Sequence, residues 1–353
     1  MKLTSIFSVS PGDVLSQSII DAKGNILLRE GVVLTQKYIN KLMDLGILYV
    51  YIKDKNLSDI PGQDLHFLEI KTQAVKALNK VYSRVHNVSN GDFKETLKTI
   101  NELVEYLIDN KEVNFMYLTE LKTYDNYTFV HSLNSCVVSL FLGVQMAYSK
   151  AMLIDLGAGT LLHDIGKMKI PQSILNKNGK LTEEEYDVMK THPEIGYEMV
   201  KSMNSINERG KSIVLEHHER YDGKGYPYGL KGNEISKYAR IACVSDVYDA
   251  LISDRIYRRA FPPNEAYEFI LASSGTFFDP EIVDLFRNHF CVYPLGIEVK
   301  LSNGCHAYVI GQNKGFPDRP RVRIFKNEEG KEIEPYDVNL VEKINVCIEN
   351  IIF

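Results

Sequence analysis

The chain has 353 residues, with 41 Lys and Arg against 46 Asp and Glu, giving a formal net charge of −5. That balance excludes the broad basic surface a nucleic-acid polymer needs, while leaving room for a local cationic pocket that takes a small phosphorylated ligand. With 44% hydrophobic and 25% charged residues the composition is that of a globular chain, not a disordered one, and the length points to two or three domains.

Residues 1–55 read as a small α/β module. Gly24-Asn25 is a turn signal and Ile26-Leu27-Leu28 a short apolar run. Thr35 can cap a helix whose apolar face is Tyr38, Ile39, Leu42 and Met43; Gly46 ends it, and Ile47 to Ile52 reads as a strand. The opening MKLTSIFSVSPGD lacks the apolar run of a signal peptide. Asn56 to Asp64, with Ser58, Pro61 and Gly62, suits a linker.

Residues 56–114 are expected to hold this linker and helices. Phe93, Leu97, Ile100, Leu103, Val104, Leu107 and Ile108 fall on one helical stripe. The stripe either packs against its own chain or joins a homodimer through helices within 68–110. Ser132 to Ser149 carries no charge, but Asn134, Gln145 and four serines make it a buried core helix, with no membrane span expected.

Residues 115–290 are helix-rich and carry nearly all the chemistry. Thr182 and Glu185 form a capping box, Pro193 fits the first turn of the next helix, and Asp279-Pro280 starts a late one. In residues 291–353 the pattern turns to β: Ile297, Val299 and Leu301 alternate, Asn303-Gly304 supplies a hairpin turn, and Val322 and Ile324 alternate again. The five cysteines, Cys136, Cys243, Cys291, Cys305 and Cys347, form no CxxC motif; scattered free thiols suit a reducing cytoplasm.

Five of the nine histidines, His131, His163, His192, His217 and His218, lie between 131 and 218, and His163 is followed by Asp164. Imidazole and carboxylate are the ligands expected for iron, manganese or zinc. Each residue alone has a bland reading: a solitary histidine is usually a hydrogen-bonded core or surface residue, and Asp246 alone would be a helix cap or a solvated acid. The adjacent pairs His163-Asp164 and His217-His218 are more suggestive. Neighbours on a helix diverge by about 100°, so one pair can address two ions, or one member can bridge them.

His163-Asp164-Ile165-Gly166-Lys167 resembles the motif of the HD phosphohydrolase superfamily, and His217-His218-Glu219-Arg220-Tyr221-Asp222-Gly223-Lys224-Gly225-Tyr226-Pro227 resembles the extended motif of its HD-GYP branch. Asp246-Val247-Tyr248-Asp249-Ala250-Leu251, Ser253-Asp254-Arg255, Tyr257-Arg258 and Phe278-Asp279-Pro280 also match the pattern. The likeness covers about half the chain, roughly 115–290. It implies a mainly α fold: an HD-type helical domain, here flanked by the small N-terminal α/β and C-terminal β-rich modules.

The resemblance also implies a metal centre held by His131, His163, Asp164, His192, His217, His218 and Asp246, with Asp164 bridging two divalent ions, iron or manganese. A third ion, which some members bind through a glutamate one turn before the first histidine, is not expected, because Tyr127 stands there. The implied function is a phosphodiesterase that hydrolyses cyclic di-GMP to linear pGpG, with GMP as the alternative end product. The alternatives are another cyclic dinucleotide, or a module that binds the ligand without turning it over. The GYP segment argues against a general nucleotidase. Asp164 and Lys167 are the expected catalytic residues. Lys167, four residues after His163, lies one turn on and on the same face if that segment is helical, and can contact a phosphate oxygen. Arg255 and Arg258 are expected to hold the second phosphate. Tyr226 either lines a guanine pocket or anchors its loop. Asp249 is placed among the substrate contacts, with support of a ligand as its other reading, and Asp222 is expected to bond within the loop.

Overall fold

The computed structural model describes residues 1–21, 25–60, 62, 64–83, 90–110, 127–252 and 261–352, with main chain alone at 83, 90–92 and 127–129. Gly24, Arg255 and Arg258 lie outside the described residues, as does the side chain of Tyr127. The chain divides into two units, one built from both ends of the sequence and one from its middle.

In the first unit the leading elements are β1 (Lys2–Ser5), β2 (Ile19–Ile20), β3 (Ile26–Leu28), α1 (Gln36–Asp44) and β4 (Tyr49–Ile52). β1 pairs antiparallel with β4, and β2 with β3. Thr35 caps α1 by accepting from the Tyr38 amide, and Gly46, at φ +71°, turns the chain back at its end. Of the apolar face expected for this helix, only Ile39 and Leu42 are buried, against Leu15, Leu34 and Val50. Tyr38 and Met43 stay about 40% exposed, because a nine-residue helix on so small a module covers a stripe only one residue wide per turn.

The rest of this unit is a five-stranded antiparallel sheet of β5 (Glu298–Leu301), β6 (His306–Gly311), β7 (Arg321–Lys326), β8 (Glu332–Asn339) and β9 (Ile348–Ile352), in the order β8-β7-β6-β5-β9. The expected turn at Asn303-Gly304 joins β5 to β6, with Gly304 at φ +84°. The alternating Val299, Leu301, Val322 and Ile324 all point inward. Segments 1–59 and 291–353 meet within the unit. Leu3 bridges Ile297, Leu57 packs on the stacked rings of Tyr308 and Phe325, and Arg323 forks onto Asp59 and Asp337, each at 2.6 Å.

The second unit is helical, as the mainly α reading expects. It contains α2 (Leu65–Ser83), α3 (Asn90–Asp109), α4 (Tyr127–Gln145), α5 (Lys150–Leu162), α6 (Gln172–Leu175), α7 (Glu183–Met189), α8 (His192–Val200), α9 (Glu208–Glu216), α10 (Lys237–Leu251), α11 (Pro263–Ala272) and the start of α12 (Pro280–His289). The capping box at Thr182 and Glu185 is formed, and Pro193 sits in the first turn of α8. Among the described residues no helix is long and apolar enough to cross a membrane. α4 is a core helix that buries Ser132, Asn134, Ser135 and Ser139 along with its apolar side chains.

α5 lies against both α3 and α9. The stripe of α3 turns towards its own chain: Phe93, Ile100, Leu103, Val104 and Leu107 are buried. Glycines in α5 allow this closeness. A Cβ on Gly157 would meet the Ile100 side chain at 2.9 Å, and one on Gly159 would meet the Gly210 carbonyl oxygen of α9 at 2.4 Å. A helical glycine costs about 1 kcal/mol in propensity; here it lets two backbones touch and fixes the end of α5, where His163 and Asp164 emerge.

Candidate metal centre

His131 comes from the second turn of α4, His163 from the C-terminal cap of α5, His192 from the first residue of α8, His217 from the cap of α9, and Asp246 from α10. These helix ends and faces converge, so side chains up to 115 residues apart in sequence lie within a few ångströms; for example, His131 Nε2 is 2.9 Å from Asp246 Oδ1. Asp164 stands at the middle. Its Oδ1 lies 3.4 Å from His192 Nε2 and 3.8 Å from His217 Nε2. Its Oδ2 lies 3.5 Å from His163 Nε2 and 4.0 Å from His131 Nε2. Two donor groups result, one of Asp164, His192, His217 and His218 and one of His131, His163 and Asp164, each with its ligating atoms within 4.8 Å of one another. Asp246 joins the second group, 3.8 Å from His163 Nε2. All seven ligands expected from the resemblance are thus brought together.

The far side of the rings explains why the near side is open. Nδ1 of His163 donates to the Thr160 carbonyl (2.6 Å), that of His192 to the Met189 carbonyl (2.8 Å), and that of His217 to the carbonyls of Ile213 and Val214 (3.1 Å). Nδ1 of His131 faces Asp249 Oδ2 at 2.6 Å. A ring that gives its Nδ1 proton outward presents the lone pair of Nε2 inward, which is the form a metal needs. Asp249, placed by sequence among the substrate contacts, sits behind His131 with only 1% of its side chain exposed.

Burial lowers the pKa of His163, and lowers those of His217 and His218 far below the ordinary imidazole value. Burial would raise Asp164 and Asp246. The Lys167 ammonium and the imidazoles around Asp164, and His131 beside Asp246, outweigh it and hold both carboxyls well below the usual range. His131 is raised: burial pulls it down, but Asp246 and Asp249 prevail. Around the ionised carboxylates, burial therefore favours the neutral form of His163, His217 and His218, whereas His131, held between Asp246 and Asp249, is drawn towards its charged form.

Two of the inward atoms, His163 Nε2 and Asp164 Oδ1, are buried with no hydrogen-bond partner. An unpaired buried carboxylate oxygen costs several kcal/mol unless something else satisfies it. Divalent cations fit that requirement in charge, donor type and spacing, so the cluster is compatible with divalent metal binding.

Two local features that the sequence leaves open have physical causes. The segment after His163 is a 3-10 turn, Ile165–Lys169, not an α-helix. Residues three apart eclipse in such a turn, and Lys167 Nζ reaches Asp164 Oδ2 at 2.6 Å. His217 and His218 do not diverge to two sites: α9 ends at Glu216, and their rings lie 4.2 Å apart in one donor group.

Beside this group the Tyr226 ring stacks on His218 at 4.7 Å and 25°. Asp222 bonds within its loop, accepting from Arg220 and from the Lys224 amide. Sequence reasoning gave no role to Gly166, where a Cβ would fall 2.0 Å from the His192 carbonyl oxygen, nor to Glu216 and Glu219, the acids that flank the histidine pair. The signal was present in each case: a glycine inside the HD motif, and two acids that bracket adjacent ligands.

Residues 103–282 match the family model of the HD domain, and residues 298–353 match that of a KOW domain associated with the HD domain. The chain is 38% identical, over 63% of its length, to the cyclic di-GMP phosphodiesterase PA4108 of Pseudomonas aeruginosa, and spans 53% of that protein. It is 34% identical, over 63% of its length, to a cyclic di-GMP phosphodiesterase of Thermotoga maritima, and spans 62% of it. The chain thus spans roughly half to three-fifths of these curated relatives. In fold it is similar to Bd1817, an HDG"Y"P protein of Bdellovibrio bacteriovorus, with a TM-score of 0.51 at 16% identity over 80% of this chain and 97% of that one. With the HD and GYP motifs in order along the chain and the HD domain model matched across half of it, the chain belongs to the HD domain family, in its HD-GYP branch.

Proposed function

We propose that this chain is a metal-dependent phosphodiesterase that opens a cyclic dinucleotide, with cyclic di-GMP the first candidate, at a pair of divalent ions, iron or manganese. The observation that carries the proposal is the position of Asp164, whose two oxygens face two separate sets of imidazoles. One ion would be held by Asp164, His192, His217 and His218, and the other by Asp164, His131, His163 and Asp246. Bound there, the ions would supply Lewis-acid charge and an activated water for in-line attack at phosphorus.

The chain's own residues do the rest. Asp164 holds the two sites in fixed relation. Asp249 orients His131, and backbone carbonyls orient three further rings. Lys167, 24% exposed and beside Asp164, reaches a phosphoryl oxygen that lies over the centre and stabilises the charge that develops there. Tyr226, stacked on His218, forms one wall for the substrate. Arg255 and Arg258, outside the described residues, are assigned the second phosphate through their planar donor forks.

A cytoplasmic site of action belongs to the same proposal and is supported by the free thiols, among them the buried Cys136, Cys243 and Cys291. A homodimer through helices 68–110 would use the outward faces of α2 and α3, because the apolar stripe of α3 is turned inward; sedimentation of the purified chain tests it.

The deciding experiment loads anaerobically purified protein with iron or with manganese and follows cyclic di-GMP by chromatography, with elemental analysis on the same sample. Linear pGpG, with or without GMP, is expected. A metal-replete sample that binds the nucleotide without turnover would favour a signalling module, and turnover of only another cyclic dinucleotide would reassign the substrate.

A further inference from the structure

Glu216 and Glu219 bracket His217 and His218, and both carboxylates accept hydrogen bonds from main-chain amides. Glu216 Oε2 accepts from the Ser236 amide at 2.7 Å, at the start of α10, the helix of Asp246 and Asp249. Glu219 is only 1% exposed. Its Oε1 accepts from the Tyr228 amide at 2.7 Å and its Oε2 from the Leu230 amide at 3.0 Å.

These two amides lie just beyond Tyr226, so the Glu219 carboxylate closes the loop back on the residue that follows His218. The near side of the loop is tied too. The Tyr226 amide donates to the His218 carbonyl at 3.2 Å. Gly225 lies so close to the chain that a Cβ would fall 2.3 Å from the Arg220 nitrogen and 2.5 Å from Glu219 Cα. Between the two ties stands the Tyr226 ring, flat against His218.

We infer that Glu219 is a positioning residue: its carboxylate clamps the far side of the Gly-Tyr-Pro loop, and so fixes the Tyr226 ring at the edge of the donor cluster, where the ring sets the seat of the substrate. This rests on the phosphodiesterase reading above. The carboxylate suits the task because it offers two acceptor oxygens to the amides of Tyr228, Gly229 and Leu230. A glutamine offers one acceptor and turns an N–H against an N–H, and an aspartate falls short by one methylene.

The test compares Glu219→Gln, Tyr226→Ala and the double variant in the full chain, with Glu219→Asp in reserve if the glutamine variant does not fold. In protein without substrate, hydrogen exchange at the amides of Tyr226 and of residues 228–230 should quicken at least tenfold in Glu219→Gln, while α10 is unchanged. Metal content should hold. Turnover of cyclic di-GMP should fall on the order of 10- to 100-fold in kcat/KM, the scale of a misplaced binding wall. The double variant should fall no further than Tyr226→Ala alone, because the glutamate acts through the tyrosine. Unchanged loop exchange, or losses that multiply, would overturn the assignment. The exchange measurement needs no turnover, so it judges the clamp even if the wild-type chain proves inactive and the phosphodiesterase reading falls.

Discussion

Asp249 Oδ2 lies 2.6 Å from Nδ1 of His131, and both side chains are 1% exposed. The carboxylate holds the ring so that its Nε2 faces Asp246 at 2.9 Å, and it raises the basicity of that nitrogen as a ligand. Asp249→Ala should therefore weaken metal binding about 10- to 100-fold, the range for loss of such a support, with the fold retained. Asp249→Asn, which keeps an acceptor oxygen, should lose less. Competition against a graded series of chelators checks the order, and equal affinity in all three proteins would count against it.

The shared position of Asp164 makes a prediction about stoichiometry. Both donor groups include Asp164, whereas His192 belongs to one of them. Asp164→Ala should empty both sites and lower turnover by more than the ~100-fold attached to loss of a supporting partner. His192→Ala should halve the metal content and leave the His131 and His163 site filled. Elemental analysis of the two variants side by side reads this directly; equal metal loss in both would show that the sites are not separable.

Much of this cluster was legible because its donor residues sit in short ordered motifs. His163-Asp164, His217-His218 and Asp246 were all named from the sequence, and all converge. Asp249 reads from the sequence either as a substrate contact or as the support of a ligand; spacing along one helix does not tell which neighbour lies opposite, so the proximity of Asp249 to His131 across 118 residues was invisible. Lys167 was placed near the centre through the wrong helix type, since composition does not separate a 3-10 turn from one turn of α-helix. The pairing of Leu3 with Ile297 and of Arg323 with Asp59 joins opposite ends of the sequence; periodicity reports which face is apolar, not what covers it.

Gly166 tests how tightly the HD turn must sit on α8. A Cβ there would lie 2.0 Å from the His192 carbonyl oxygen and 2.7 Å from the Gly196 nitrogen, both main-chain atoms that cannot swing aside. Gly166→Ala must push the turn away from α8, and so move Asp164 and Lys167 relative to His192. Overpacking of this kind costs about 1–3 kcal/mol, which is a fall of several degrees in the thermal midpoint. Loss of metal from the His192 group should accompany it. Gly62→Ala, where no atom lies within 4 Å of the added carbon, is the control and should leave both readings unchanged.

The titration of the buried rings sets the pH dependence of the protein after its metal has been removed by chelation. Burial lowers His163, His217 and His218 in the folded chain. The unfolded chain takes up protons at these rings near pH 6.5, and the folded chain does not. Folding is therefore opposed as pH falls below about 6.5, by up to ~1.4 kcal/mol per pH unit for each ring that stays neutral. His131 works the other way: its raised value stabilises the fold below the unfolded pKa, and that gain fades as pH rises through the folded value. Asp164 and Asp246 are held well below the usual carboxylate range, so they stay ionised here, and their stabilisation is lost only in stronger acid. With three rings opposed by one, the thermal midpoint of the chelated protein should drop between pH 7 and pH 5. Metal-loaded protein should release its ions over the same interval, because protons compete for the same nitrogens. A midpoint that stays level or rises from pH 7 to pH 5 would show that His163, His217 and His218 are charged in the fold, and their neutral form would have to be abandoned.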